Sequence, residues 1–158
     1  MRRPWYTAAL LALLLLLPAC GGGSETEPEV LRQAMVDAAP SLPEMLRADD
    51  TDENAEELFA HISDMDYGKV SRFFVLYAAD GSADEIAAIL VKNSADADGA
   101  RQSLAAHLED RARLYEQYKP EQLRRIEQAE LFVRGRWAVL IVCDEAAAVK
   151  AACVRAMG

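Results

Sequence analysis

His61, Ser63 and Asp64 bring together the residue types of a nucleophilic triad. Three members within four residues do not ordinarily meet around one substrate atom, because triads draw them from separate elements. The spacing reads instead as a solvated helix end. The other histidine, His107, falls between apolar positions of a long helical pattern, with Asp110 and Arg111 at i+3 and i+4, and reads as a surface residue. Asp96-Ala97-Asp98-Gly99 shares part of a calcium-loop pattern. Ser94 holds its first position, however, and Ala105 its twelfth, where a bidentate Glu is required. Acidic residues at a helix start account for the run better. The histidines are not at i, i+4 and there is no Cys-x-x-Cys, so neither supplies a zinc site. Gly21 to Gly23 precede no lysine, as a phosphate loop requires. Carboxylates are many, yet no spacing selects a pair for glycoside hydrolysis. No catalytic residue, metal or cofactor is expected.

Two polar turns remain. Arg134 and Arg136 flank Gly135 at a hairpin tip, where guanidinium groups can meet an anionic ligand, although solubility of the turn is the plainer account. Asp80 and Ser82 flank Gly81 at another turn. These four residues are the candidate interaction surface.

Covalent chemistry is expected at Cys20. Arg2 and Arg3 precede ten apolar residues, Ala8 to Leu17, and then Leu17-Pro18-Ala19-Cys20. Ten residues rise about 15 Å as a helix, half of a bilayer core. That length suits a signal peptide and not a spanning helix. The Leu-x-Ala-Cys ending resembles the bacterial lipobox, with a less common Pro18 inside it. Residues 1–19 are therefore expected to be removed and Cys20 lipidated. Cleavage at a neighbouring site and an uncleaved anchor are the alternatives. The basic residues leave the n-region in the cytoplasm, so the mature chain is expected on the outer face of the bacterial cytoplasmic membrane. Residues 20–28, rich in glycine, serine and acid, read as a flexible tether.

The chain has 158 residues and a formal charge of −9, with 52% hydrophobic and 27% charged residues. The acidic balance excludes a general nucleic-acid binder, which needs a basic surface. The charge is uneven: residues 24–66 hold thirteen Asp or Glu against Arg32 and Arg47, whereas residues 67–158 hold thirteen of each sign. Residues 29–66 read as an acidic, partly helical segment that solubilises a stalk. A sharper reading is a contact for a basic partner, or a weak divalent-cation site around Asp49, Asp50, Asp52 and Glu53.

The elements that would position these groups follow from periodicity. Pro28 starts a short helix with Val30, Leu31, Ala34, Met35 and Ala38 on one face. A second helix runs from Glu53 to Ile62, with Asp50 and Glu53 spaced as a capping box. Val70 to Ala78 is a strand, Asp80-Gly81 a hairpin turn, and Asp84 to Lys92 a second strand. The clearest helix spans Gly99 to Tyr118, burying Leu104, Leu108, Ala112 and Tyr115, with Glu109 and Arg113 paired at i, i+4. Strands at 129–133 and 137–143 surround Gly135, and a helix from Glu145 to Met157 closes the chain. Residues 67–158 thus read as an α+β domain with a ββαββα core. It is an antiparallel four-stranded sheet with helices packed on one face, preceded by short N-terminal helices.

Phe73, Val75 and Tyr77 lie on one side of the first strand, yet Phe74 and Leu76 lie on the other. A sheet with one wet face alternates apolar and polar residues; this one is apolar on both. The Glu53 to Ile62 helix is the expected cover of the second face, with homodimerisation or a partner as alternatives. Cys143 ends a strand and Cys153 lies more than two helical turns beyond it. Bridging needs Cα atoms within about 7 Å, so two buried thiols are expected, with a disulfide the alternative.

One further pattern runs through the chain. It consists of Val75-Leu76-Tyr77 with Gly81-Ser82-Ala83-Asp84-Glu85-Ile86-Ala87, then Tyr118-Lys119-Pro120-Glu121. The strand Gly135-Arg136-Trp137-Ala138-Val139-Leu140-Ile141-Val142 completes it. From about residue 45 to the end, the chain resembles the clostridial and related Gram-positive lipoproteins carrying a domain of unknown function of the 4358 type. The resemblance implies localisation and architecture, and carries no active residues. The expected function is a non-catalytic, membrane-tethered binding or interaction module at the cell envelope. An envelope protein or a second copy would be its partner. A small-ligand binding module and a small envelope hydrolase with unidentified carboxylates are the alternatives.

Overall fold

The computed structural model describes residues 25–158, so the signal-peptide reading and Cys20 lie outside the described residues. Helix α1 is Pro28–Asp37, strand β1 Met45–Asp49 and helix α2 Ala55–Phe59. Strands β2 and β3 are Val70–Ala78 and Glu85–Val91. Helix α3 is Ala97–Tyr118, α4 is Leu123–Glu127, β4 is Glu130–Arg134, β5 is Trp137–Val142 and α5 is Ala146–Ala156. The strands form one antiparallel sheet in the order β1-β2-β3-β5-β4.

The α+β class and the ββαββα order from residue 70 hold, with five strands where four are expected. The extra one, β1, pairs Met45 with Ala78 and Asp49 with Phe74 at the sheet edge. Its five residues carry Arg47 and Asp49 and no β-branched side chain, so neither propensity nor alternation marks it. Pairing with β2 forms it. Residues of the acidic segment therefore belong to the sheet itself.

Both faces are apolar, and both are covered from within the chain. On one face Phe73, Val75, Ala87, Ile89, Ala138 and Leu140 pack beneath α2, α3 and α4. On the other, Phe74, Leu76, Ile86, Val139 and Ile141 pack beneath α1 and α5, through Leu31, Met35, Val149 and Cys153. The expected cover is therefore corrected. Helix α2 sits on the α3 face, where the Phe59 ring meets Phe73 edge-on at 5.2 Å. Only three residues join β5 to α5, which folds straight back onto the opposite face beside α1.

Local chemistry differs from expectation at three points. Asp50 does not cap α2: its carboxylate accepts from Arg72 Nε at 2.6 Å and from the Phe73 amide at 3.1 Å. Arg113 pairs with Asp110 and not with Glu109. The turn between β2 and β3 is a six-residue loop in which Asp80 accepts the Ser82 amide at 2.9 Å and Gly81 takes a φ of +71°. Gly135, at +58°, makes the tight β4–β5 turn, in a conformation that only glycine adopts freely.

Candidate functional site

The four residues of the candidate interaction surface lie at opposite ends of the sheet. Leu90 pairs with Trp137, which sets the Gly135 tip beside the end of β3; Tyr77 pairs with Glu85, which sets Asp80 and Ser82 at the other end. They do not form one surface. At the tip, Arg136 donates to the Val91 and Lys92 carbonyls at 3.0 Å and pairs with Glu25. Arg134 donates to the Gly158 carbonyl, and Thr26 to that of Ala156. Glu25 and Thr26, read as tether, are thus fastened to the domain. A cleft of about 430 Å³ opens here, lined by Glu25, Arg134, Arg136, Trp137 and Met157. The buried Trp137 Nε1 has no acceptor.

At the loop end, the β2–β3 loop is locked to α3 and α4. Glu85, 2% exposed, bonds His107 Nε2 at 2.8 Å and Arg111 Nη1 at 3.1 Å. Arg111 also donates to the Ala83 carbonyl and stacks over the Tyr115 ring, whose hydroxyl donates to the Ser82 carbonyl at 2.8 Å. Neighbouring Asp84 accepts from Arg125 Nη1 at 2.7 Å and from Ser82 Oγ. Arg125 continues to Asp144, whose carboxyl it holds below the usual range. Two charges buried side by side in sequence are tolerable because each meets an arginine. His107 is therefore no surface residue. Its partner Glu85 stands 22 positions away, and the only sequence signal is an acid opening an otherwise apolar strand.

Ser63 and Asp64 do meet, but on a partner the sequence does not suggest. Ser63 Oγ lies 2.8 Å from Ser103 Oγ, which donates to Asp64 Oδ1 and accepts the Asp64 amide at 2.9 Å. Ser63 Oγ also accepts the Met65 amide. The cluster ties the turn after α2 to α3, and the His61 side chain is outside it, on the surface. Nor do Asp49 and Asp50 point to a shared cation. Asp49 accepts from Thr51 and pairs with Arg47 at 2.6 Å, while Asp50 is held by Arg72. Burial raises the Asp49 carboxyl, and the Thr51 and Arg47 contacts outweigh it, leaving it below the usual range. Among the described residues, no three His, Cys, Asp or Glu are grouped to hold a metal. Cys143 and Cys153 are free, buried thiols, pushed up by burial to about 11 and about 12.

The remaining feature is an apolar shelf at the loop end. Ser103, His107, Arg111, Leu114 and Tyr118 recur at helical spacing along one flank of α3. Ser103 is closed off by Ser63, but that cover stops with the turn after α2. Further along the same flank Leu114 is 54% and Tyr118 74% exposed. The same face of the sheet carries two more exposed apolar groups. Tyr77, 40% exposed, and Leu46, 45% exposed, are cross-strand partners on the α3 face, next to Glu85. Four of the five exposed large apolar side chains among the described residues thus share one end of one face; the fifth, Val30, is on α1.

The family described as "Domain of unknown function (DUF4358)" matches residues 43–143, from just before β1 to the end of β5. No curated protein and no solved structure matches.

Proposed function

The chain belongs to the DUF4358 family, and from that premise we propose that it is a lipid-anchored, extracytoplasmic domain that binds a partner protein at the cell envelope and performs no catalysis. Its anchor is Cys20, behind Arg2, Arg3 and the apolar run from Ala8 to Leu17. Cleavage before Cys20 and attachment of two or three acyl chains hold it stably on the outer face of the cytoplasmic membrane.

One contrast carries the binding role. The buried polar groups Ser63, Asp84, Glu85 and Ser103 are all engaged with internal partners. Leu46, Tyr77, Leu114 and Tyr118 have no such use, and all four lie toward the loop end of the α3 face. Apolar groups concentrated on a surface cost solubility unless an interface covers them. Fractionation of cells making the Cys20→Ser chain tests the anchor. The wild-type protein is expected with membranes and the variant in the soluble fraction; a variant retained on membranes contradicts the anchor.

A second reading, a small anionic ligand, is favoured by the cleft beside Arg134 and Arg136 and by the Trp137 N–H without an acceptor. Its readout is a ligand-dependent change in Trp137 fluorescence that Arg134→Ala abolishes.

A further inference from the structure

We propose that the cleft at the Gly135 tip binds a phosphate group, and that the chain's own Glu25 carboxylate competes with that group for Arg136. This rests on the anionic-ligand reading above and deepens it, naming the anion and the segment that controls its entry.

The β4–β5 hairpin builds the site. Arg134 and Trp137 are its last cross-strand pair, so their side chains stand on one face of the sheet, the α5 face, with Gly135 and Arg136 forming the turn between them. Arg136 is fixed from one side: its Nη1 donates to the Val91 and Lys92 carbonyls, both at 3.0 Å. Its Nη2 is left to meet the Glu25 carboxylate. The guanidinium therefore keeps its place when Glu25 departs, and an incoming anion does not have to order it. Trp137, which also lines the cleft, is 2% exposed, and its Nε1 lacks an acceptor. A buried donor without a partner is costly, and an accepting oxygen removes that cost.

Charge selects phosphate over carboxylate. Among the residues lining the cleft, Arg134 and Arg136 carry the positive charge and Glu25 the negative, so two cations face one anion. Once Glu25 leaves, both guanidinium groups are unmatched. A phosphate monoester carries about two negative charges at neutral pH, and its oxygens suit paired guanidinium donors. A carboxylate supplies a single charge and leaves one arginine unmet. The cleft, at about 430 Å³, also has room for the alcohol portion of the ester.

Glu25 is a displaceable competitor. Its pair with Arg136 leaves the two side chains 28% and 36% exposed, and water screens such a contact. Thr26 adds one hydrogen bond, to the Ala156 carbonyl at 3.0 Å. Both contacts precede α1, which starts at Pro28, so their release leaves the helix whole. Cys20 lies five residues before Glu25, so a lipid headgroup and a soluble ester are both sources of the group, and the test separates them.

The test is an NMR titration of the full chain in maltoside detergent with glycerol phosphate. It follows the Trp137 indole N–H, identified as the one that persists in Trp5→Phe. Glycerol phosphate is expected to move this signal, and acetate at equal ionic strength to leave it in place; an equal response to acetate overturns the phosphate assignment. A clasp closed about nine-tenths of the time weakens apparent binding about tenfold, so Glu25→Gln is expected to lower the half-saturating concentration by that factor. Glu27→Gln makes the same charge change outside the cleft lining and should leave it unchanged. Arg134→Ala, with an unchanged thermal midpoint, should abolish the response. If Glu25→Gln binds no more tightly than the wild type while glycerol phosphate still moves the signal, the competition is overturned and the anionic-ligand reading stands. If no anion moves the signal in any variant, both fall. Micelles doped with phosphatidic acid supply the other source: a response at lower phosphate concentration than glycerol phosphate needs assigns the group to a lipid, and the reverse order to a soluble ester.

Discussion

The two ends of the sheet are built on opposite plans. At the Gly135 tip, arginines hold chain termini and loops: half-buried Arg136 takes Glu25 and two backbone carbonyls, and exposed Arg134 takes Gly158. At the loop end Asp84 and Glu85 are buried, each on a guanidinium, and exposed Leu46, Tyr77, Leu114 and Tyr118 lie among exposed polar residues such as Glu44 and Asp80. One end receives the N-terminal segment through Glu25; the other is braced from within. The difference teaches where each kind of group contributes. Buried ions fix a loop against a helix, whereas the arginines of the tip fasten chain ends.

The largest expected difference between the ends is in stability. Glu85→Ala strands Arg111 next to the core and should cost about 3–5 kcal/mol, read from the denaturant midpoint. Arg134→Ala at the tip should stay within about 0.5 kcal/mol. Equal losses at the two ends would break the comparison.

Glycine substitutions sharpen it on a smaller scale. Gly135→Val forces a branched side chain to φ +58° and should cost about 1–2 kcal/mol. Gly99, in the first turn of α3 with open space around it, should gain up to about 1 kcal/mol on replacement by alanine. Thermal midpoints moving the same way in both variants would contradict the backbone argument.

Titration gives the smallest effect. Burial raises both thiols, so they remain protonated in the folded chain while unfolded thiols ionise near pH 8.5. Their contribution is complete below that pH and declines as pH rises through about 11 and about 12. Replacing both cysteines with alanine should make the alkaline fall in stability shallower. An unchanged slope would mean that the thiols do not contribute. On the acid side the signs reverse. Asp49 and Asp144 lie below their ordinary values, so their contributions are present above the carboxylate range and lost as pH falls through it.

Much of this was legible in the sequence where the signal is local. Strand β2 is dense in aromatic and branched residues, α3 has a clean apolar stripe, and Gly135 marks its turn. Apolar residues on both sides of β2 and β5 correctly imply a doubly covered sheet. The identity of each cover was not legible, because both helical layers have compatible stripes and the length of the link after β5 decides the face. Strand β1 exists through its pairing with β2. The site is less legible still, since Glu85 with His107 and Ser63 with Ser103 pair across 22 and 40 positions. Arg134 and Arg136 stood out as an exposed pair, and one of them proves to be a clasp for the N-terminal segment. The shelf has no sequence signature, for Leu114 and Tyr118 continue the same flank as buried Ser103. Only the place where the α2 turn stops makes them exposed.

The Cys20 anchor proposed above, five residues before Glu25, would set the tip toward the membrane and the Tyr118 end away from it. Energy transfer from a fluorophore at residue 135 or residue 118 of the full, lipidated chain to acceptor lipids in vesicles tests it most directly. Five residues from Cys20 to Glu25 reach at most about 18 Å, and nine-residue β2 adds about 30 Å between the ends. Strong transfer from residue 135 and weak transfer from residue 118 is the predicted result. Equal transfer from the two positions, or stronger transfer from residue 118, would contradict the account.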